Sequence, residues 1–315
     1  MSFSTRVKEE IARHIGGGRH CKIAEIAAVI NMCGKIKISP NKAVSIKIQT
    51  ENPAVARKYF TIIKKTFNIN VEVLIRRNSF FNKSRVYIMY IADTEAATKI
   101  LKATKLAEII EGDIVIFHRI HPLVVQSVCC KRAYIRGAFL ASGSMSDPEK
   151  TYHLEFVNIH KKHSLDLMNL INSFEMDSKI VVRKKYFVVY LKEGAQIVDL
   201  LNIMEGHIAL MELENLRILK EMRNNVNRIV NCETANLNKT ISASVRQVEE
   251  INLIEEKMGL GKLPQALEEI ARLRLEYSDS TLKELGEMLD PPVGKSGVNH
   301  RLRKLSEIAE KLRED

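Results

Sequence analysis

Small and apolar residues fill positions 26–35 (IAAVINMCGK) and again 135–144 (IRGAFLASGS), each run closing on a glycine and one more residue. After the first, Val44, Ile46 and Ile48 alternate with polar residues, as Leu154 and Phe156 do after the second; this is the period of a half-buried strand. Residues 52–67 and 162–174 then carry apolar side chains at helical spacing. Two more strand-like runs follow in each copy, at 71–75 and 86–91 and then at 180–182 and 187–191. Sliding the chain on itself by roughly 109 residues lays Cys21 on Cys130, Ala24 on Ala133, Ile26 on Ile135, Ala28 on Gly137 and Gly34 on Gly143. Each copy, at about 21–103 and 130–206, is predicted to run helix, two strands, helix, two strands, short helix.

The two small-residue runs resemble the signature helices of LAGLIDADG homing endonucleases. Small side chains at a contact let helix axes approach closely, and Ala24, Ala27 and Ala28 face Ala133, Gly137, Ala138 and Ala141 in this reading. The resemblance implies an α+β fold in which two αββαββα repeats form a pseudo-two-fold saddle over a DNA duplex. In that family an acid just before the final glycine holds the cleaving metal. Here those positions are Cys33 and Ser142, which implies the fold without the nuclease chemistry.

Beyond residue 206 the pattern is helical throughout. Residues 208–257 read as a long polar helix, with a break expected near 231–240 inside RNNVNRIVNCETANLNKT (223–240), because asparagine is a poor helix former. Pro264 suits a first helical position ahead of Leu267, Ile270, Ala271 and Arg274. Thr281 and Glu284 have capping-box spacing, with Leu282, Leu285 and Leu289 on the inner face of a second helix. Asp290, Pro291 and Pro292 stop it, Gly294 permits the turn, Ser296 is expected to cap, and Val298, Leu302 and Leu305 form the stripe of a third. That is a helix-turn-helix. The expected division is residues 1–210 for the saddle, 211–262 for a helical linker and 263–315 for the helix-turn-helix.

Charge sharpens this picture. The net +11 is uneven: residues 1–210 hold 32 Lys and Arg against 19 acids, 211–262 are balanced, and 263–315 carry 9 against 11. A basic saddle suits a polyanion, and double-stranded DNA is the expected partner. Arg76, Arg77, Lys83 and Arg85 flank one hairpin, and Arg183, Lys184 and Lys185 hold the like place in the other copy; Arg76, Arg77, Arg183 and Lys184 are the backbone contacts expected there. In the last helix, residues 291–306 contain no acid. Ser296, Asn299 and His300 are expected to read bases, and Lys295, Arg301, Arg303 and Lys304 to meet phosphates.

The opening MSFSTRVKEE, the passage DPEKTYHLE from Asp147, the asparagine-rich passage and the ending DPPVGKSGVNHRLRKL from Asp290 together resemble the WhiA family of Gram-positive bacteria over nearly the whole chain. The resemblance implies a degenerate LAGLIDADG domain joined to a helix-turn-helix similar to region four of sigma factors. It also implies a transcription regulator acting in cell division and chromosome segregation, or in sporulation in spore-forming relatives, with another transcription regulator as a further partner.

Other chemistry finds little footing. The sequence Gly294-Lys295-Ser296 lacks the earlier glycine and preceding strand of a phosphate loop. The five cysteines form no CxxC pair, and His118, His121, Cys129 and Cys130 match no common ligand spacing; neither metal nor other cofactor is expected. His160 and His163 are expected to be exposed beside Lys161 and Lys162. Asp147 could replace a missing motif acid, but its repeat counterpart offers none. With no bilayer-length apolar run and no signal peptide, the expected location is the cytoplasm, on the nucleoid. Two other classes stay open: an active metal-dependent endonuclease, and an architectural adaptor whose saddle binds protein.

Overall fold

A computed structural model describes residues 1–77, 85–111 and 113–314, so Lys83 lies outside the described residues. The chain divides into two compact units, Met1–Leu219 and Lys220–Asp315.

In the first unit, helix α1 (Phe3–Arg13) precedes the first repeat: α2 (Arg19–Cys33), β1 (Gly34–Ile38), β2 (Val44–Thr50), α3 (Pro53–Phe67), β3 (Glu72–Arg77), β4 (Arg85–Ile91) and α4 (Thr94–Ala103). A short hairpin, β5 (Ala107–Ile110) with β6 (Asp113–Ile116), leads to the second: α5 (Val128–Ser142), β7 (Gly143–Met145), β8 (Leu154–Asn158), α6 (Lys161–Asn172), β9 (Lys179–Arg183), β10 (Tyr186–Leu191) and α7 (Gly194–Met204). The repeats form antiparallel sheets of matching order, β1-β2-β4-β3 and β7-β8-β10-β9. Alternation sets their inner faces. Val44, Ile46, Ile48, Met89 and Ile91 are buried in one, and Leu154, Phe156, Val189 and Leu191 in the other.

The signature helices α2 and α5 pack directly on each other, buried almost from end to end. The helices approach closely at Gly137, where an added Cβ would lie 2.7 Å from the Glu25 carbonyl oxygen and 2.9 Å from the Ala28 methyl. Any larger side chain would push the helices apart. Ions lock the same interface. Glu25, 2% exposed, takes Lys58 at 2.5 Å and Arg136 at 3.3 Å, and Arg136 reaches on to Glu205 at 2.8 Å. A buried carboxylate with two cations is tolerable only because its charge is answered on both sides.

His163 is not exposed beside its lysines. Helix α6 begins at Lys161, so the third residue of its first turn faces inward and His163 is fully buried. The Asn158 amide oxygen accepts from the His160 N–H at 2.8 Å, which turns its NH₂ toward His163 Nδ1 at 2.7 Å. The ring proton therefore resides on Nε2 and donates to the Tyr134 hydroxyl oxygen at 2.8 Å.

Helix α8 runs unbroken from His207 to Lys257, correcting the expected interruption at 231–240. Each asparagine costs at most about 0.7 kcal/mol relative to alanine, and Leu237, Lys239, Arg228 and Glu233 among them are helix-compatible. In the second unit, Ile251 and Ile254 of α8 join a core made by α9 (Gln265–Glu276), α10 (Leu282–Glu287) and α11 (Lys295–Glu314). Leu267, Ile270, Ala271, Leu285, Leu289, Val298, Leu302 and Leu305 are buried there, as their spacing predicts. The capping box forms: Glu284 N–H donates to Thr281 Oγ1 at 3.3 Å, and Thr281 N–H to Glu284 Oε2 at 2.7 Å. Ser296 does not cap, because α11 starts one residue earlier, with the Gly294 carbonyl accepting from Gly297 and Val298 N–H. The preceding loop is drawn in by Val293 N–H donating to the Gly286 carbonyl at 2.9 Å. Among the described residues no helix is long and apolar enough to cross a membrane.

Burial pushes the His163 imidazole down from 6.5 to about 3. Between those values the unfolded chain binds a proton that the folded chain refuses, so this contribution to stability is whole above pH 6.5 and drains away as pH falls toward 3. The limiting slope is about 1.4 kcal/mol per pH unit. Urea unfolding between about pH 6 and 4 should show a flatter acid limb for His163→Gln than for the parent; superimposable limbs would refute the buried neutral histidine.

Candidate nucleic-acid interface

The C-terminal ends of α2 and α5 are where a homing endonuclease would cut. Cys33, partly buried, donates its thiol to the Val29 carbonyl at 3.4 Å, and burial pushes that thiol up to about 12, so it stays protonated at neutral pH. The Ser142 hydroxyl oxygen is buried with no hydrogen-bond partner. Lys8 of α1 stands close by, 5.9 Å from the centre of the Phe139 ring, its amine pushed down by burial. Hard divalent cations need oxygen ligands, carboxylates above all; a thiol, a hydroxyl and a neighbouring ammonium do not supply them. Asp147 is occupied locally, its carboxylate accepting from Glu149 N–H at 3.0 Å and its carbonyl from Lys150 and Thr151. Beside these ends lies an open cleft of about 710 Å³ bordered by Ser4, Thr5, Lys8, Gln49 and Ser144.

The outer faces of the two sheets differ in charge. Strand register places Lys35 opposite Lys47 and Lys37 opposite Ser45, with Lys47 in turn opposite Tyr90. Since Ile46 and Ile48 point inward, these lysines share the open face with Arg76. Like charges facing across strands are destabilising on their own. At the corresponding places the second repeat has Ser144 opposite Glu155, and the serine hydroxyl donates to that carboxylate at 3.2 Å. Glu155 also takes Arg183 at 2.9 Å and His153 at 3.0 Å, and these partners hold it below the ordinary carboxylate range despite partial burial.

The basic residues singled out from the sequence are thus not equivalent. Arg76 lies on the open face, whereas Arg77, the next residue on the strand, points to the other. Arg183 is on the open face but already ion-paired, and Lys184 occupies the hairpin tip in the left-handed region at φ 55°. Lys35, Lys37 and Lys47 join this face without having stood out in the sequence. Their signal is the alternation in GKIKI and VSIKIQ, which sends every second residue outward.

On α11, Lys295, Ser296, Asn299, His300, Arg303 and Lys304 are exposed, opposite the buried stripe of Val298, Leu302 and Leu305. Arg303 has Glu307 at 4.0 Å. Arg301 is half-buried and reaches α9, donating to the Ala266 carbonyl at 3.4 Å. Lys295 and Asn299 border a groove of about 500 Å³ together with Lys283 at the start of α10 and Lys239, Thr240 and Gln247 of α8. The end of the asparagine-rich passage therefore shares a surface with the start of α11. Arg274, 2% exposed, donates to the carbonyls of Ser278 and Ser280 at 3.1 and 2.7 Å and so holds the turn between α9 and α10.

Of the four residues weighed as metal ligands, two are elsewhere. His118 stacks on His160, ring centres 3.6 Å apart, and His121 Nδ1 accepts from Leu123 N–H at 3.2 Å. Cys129 and Cys130 meet His20 and Cys21 instead.

Comparison with known proteins agrees along the whole chain. Residues 19–107 match the WhiA N-terminal LAGLIDADG-like domain, 131–223 the WhiA LAGLIDADG-like domain, and 226–309 the WhiA C-terminal HTH domain. The sequence is 54% identical to "Probable cell division protein WhiA" of Lachnoclostridium phytofermentans over 100% of both chains. It is 55% identical to the protein of the same name from Alkaliphilus oremlandii, over 100% of this chain and 98% of the other. The crystal structure of full-length WhiA from Thermatoga maritima shares the fold, with a TM-score of 0.61 at 24% identity across 99% of each chain. A duplicated saddle without its motif acids, followed by a helix-turn-helix, is the architecture these domains describe, and the chain belongs to the WhiA family.

Proposed function

We propose that the protein is a sequence-specific DNA-binding regulator, without nuclease activity, that acts in cell division by controlling transcription and in chromosome segregation, on the nucleoid in the cytoplasm. Its relatives carry the name of a cell division protein. The observation that carries the reading is the acid-free, exposed start of α11, where Ser296, Asn299 and His300 stand beside Lys295. A recognition helix needs this arrangement: its first turns carry base-reading polar groups, flanked by cations for phosphate.

The two units divide the work. The saddle supplies sequence-independent affinity through phosphate contacts, and Lys35, Lys37, Lys47 and Arg76 do most of it, since their counterparts in the second repeat are serine, glutamate or an arginine already paired. The opposed Lys35 and Lys47 gain a shared counter-ion when DNA binds. A second reading has a specific observation behind it. Leu74 and Ile75 are 55% and 60% exposed on the edge strand β3, which suits a protein partner, such as another transcription regulator, along that edge.

Three outcomes follow. Supercoiled plasmid incubated with the protein and Mg²⁺ or Mn²⁺ should stay uncut, and nicking that co-purifies with the chain would overturn the absence of nuclease chemistry. In binding titrations, Lys35→Ala with Lys47→Ala should lower the dependence of log affinity on log salt by about 1.8, close to 0.9 for each phosphate no longer neutralised, for specific and random duplexes alike. Asn299→Ala should instead reduce preference for the native site by about 1–3 kcal/mol while leaving the salt slope unchanged. An unaltered slope in the lysine variant would move the basic face to another partner, and undiminished preference in Asn299→Ala would remove α11 from base reading.

A further inference from the structure

The signature helices start together as well as end together. The offset that lays Cys21 on Cys130 also lays His20 on Cys129, and the pseudo-two-fold brings these two adjacent pairs into contact at the N-terminal ends of α2 and α5. His20 Nδ1 lies 3.1 Å from Cys130 Sγ, 3.3 Å from Cys21 Sγ and 3.9 Å from Cys129 Sγ. All four donor atoms fall within 4.8 Å of one another. Cys21 and Cys130 are buried, while His20 and Cys129 are exposed, so the cluster has a closed side and an open one through which an ion can enter.

We propose that His20, Cys21, Cys129 and Cys130 bind one zinc ion that staples the first repeat to the second. Three thiolates and an imidazole are a recurrent structural zinc set. With Zn–S near 2.3 Å and Zn–N near 2.0–2.1 Å, a tetrahedral ion requires S···N separations of about 3.6 Å, and the three observed values fall on either side of that. The donor set contains no oxygen, which disfavours magnesium and calcium and favours a thiolate-seeking metal.

The surroundings suit the charge. Three thiolates and a divalent ion leave one net negative charge, and it falls where two helices begin. Neither Gly18 nor Ser127, the residues before α2 and α5, makes a side-chain cap, and a helix N-terminus favours negative charge close to it. The site is at the far end of the helix pair from Cys33 and Ser142, about 12 residues or 18 Å along α2. Its role is therefore to hold the interface, and the ion takes no part in DNA chemistry. Each helix contributes two ligands, so neither repeat completes the site alone.

The full-length protein, purified under reducing conditions without added metal, should contain one equivalent of zinc per chain. Replacing that zinc by cobalt should give the visible bands of a tetrahedral ion together with sulfur-to-cobalt charge transfer. Cys129→Ser and His20→Ala, at exposed positions that leave folding intact by circular dichroism, should lose the metal to a chelator that the parent resists. Cys232→Ser, on the exposed part of α8, should keep full loading. Loss of zinc should also lower the melting temperature of the parent and leave that of the His20→Ala variant unmoved. The proposal is overturned if the folded parent holds no stoichiometric zinc and gives no sulfur-to-cobalt transition. It is equally overturned if Cys129→Ser and His20→Ala hold zinc against the chelator as firmly as the parent does.

Discussion

Everything in the saddle depends on how closely α2 and α5 approach. At Gly137 the second helix lies against the backbone of the first with no room for a methyl group, and that proximity fixes where the two sheets stand and which of their faces remains open. Apolar contact alone would let the helices slide. The buried Glu25, held between Lys58 and Arg136, penalises sliding, because a shift of α2 past α5 would break its pair with Arg136 and strand a charge out of water. Losing one partner of such a pair costs about 3–5 kcal/mol. The arrangement sets register more than it adds stability, since a well-packed apolar trio of similar volume could be as stable.

A frame fixed this way leaves its outer positions free to diverge. Lys47 and Glu155 hold corresponding places on matching strands, and one copy presents a lysine ladder where the other presents a serine, a glutamate and an ion-paired arginine. Cys33 and Ser142 diverged likewise at the helix ends. Duplication thus built two sheets of matching order whose outer faces differ in charge.

Much of this is legible in the chain because it is local or periodic. The repeat appears in the recurrence of small residues and alternating strands, and the third helix of the small domain in Val298, Leu302 and Leu305. What is not legible depends on tertiary placement. His163 looks solvent-facing beside two lysines until α6 is seen to begin at Lys161 and to aim its third residue at Tyr134 and Asn158. The asparagine-rich stretch of α8 has poor propensity per residue yet lies inside a helix anchored at both ends by buried residues, Leu213 near the start and Ile254 near the finish. The β5–β6 hairpin gives no pattern to read, because its strands are four residues each and leave Ile109, Ile110 and Val115 exposed, which erases the usual alternation. Lys35, Lys37 and Lys47 are inconspicuous since basic residues attract attention in runs, and a strand spaces them two apart. Cys129 and Cys130 are visible as a pair, but only folding brings them to His20 and Cys21.

The saddle, on this account, holds DNA without choosing it, and the small helical domain makes the choice. Genome-wide crosslinking of the intact chain and of a chain ending at Leu219, the boundary of the first compact unit, tests that division most directly. The intact protein should occupy discrete sites, while the shortened one should remain on the chromosome as a diffuse, salt-sensitive signal with those sites no longer distinguished. Discrete peaks at the same positions in the shortened protein would contradict the account and assign sequence recognition to the saddle.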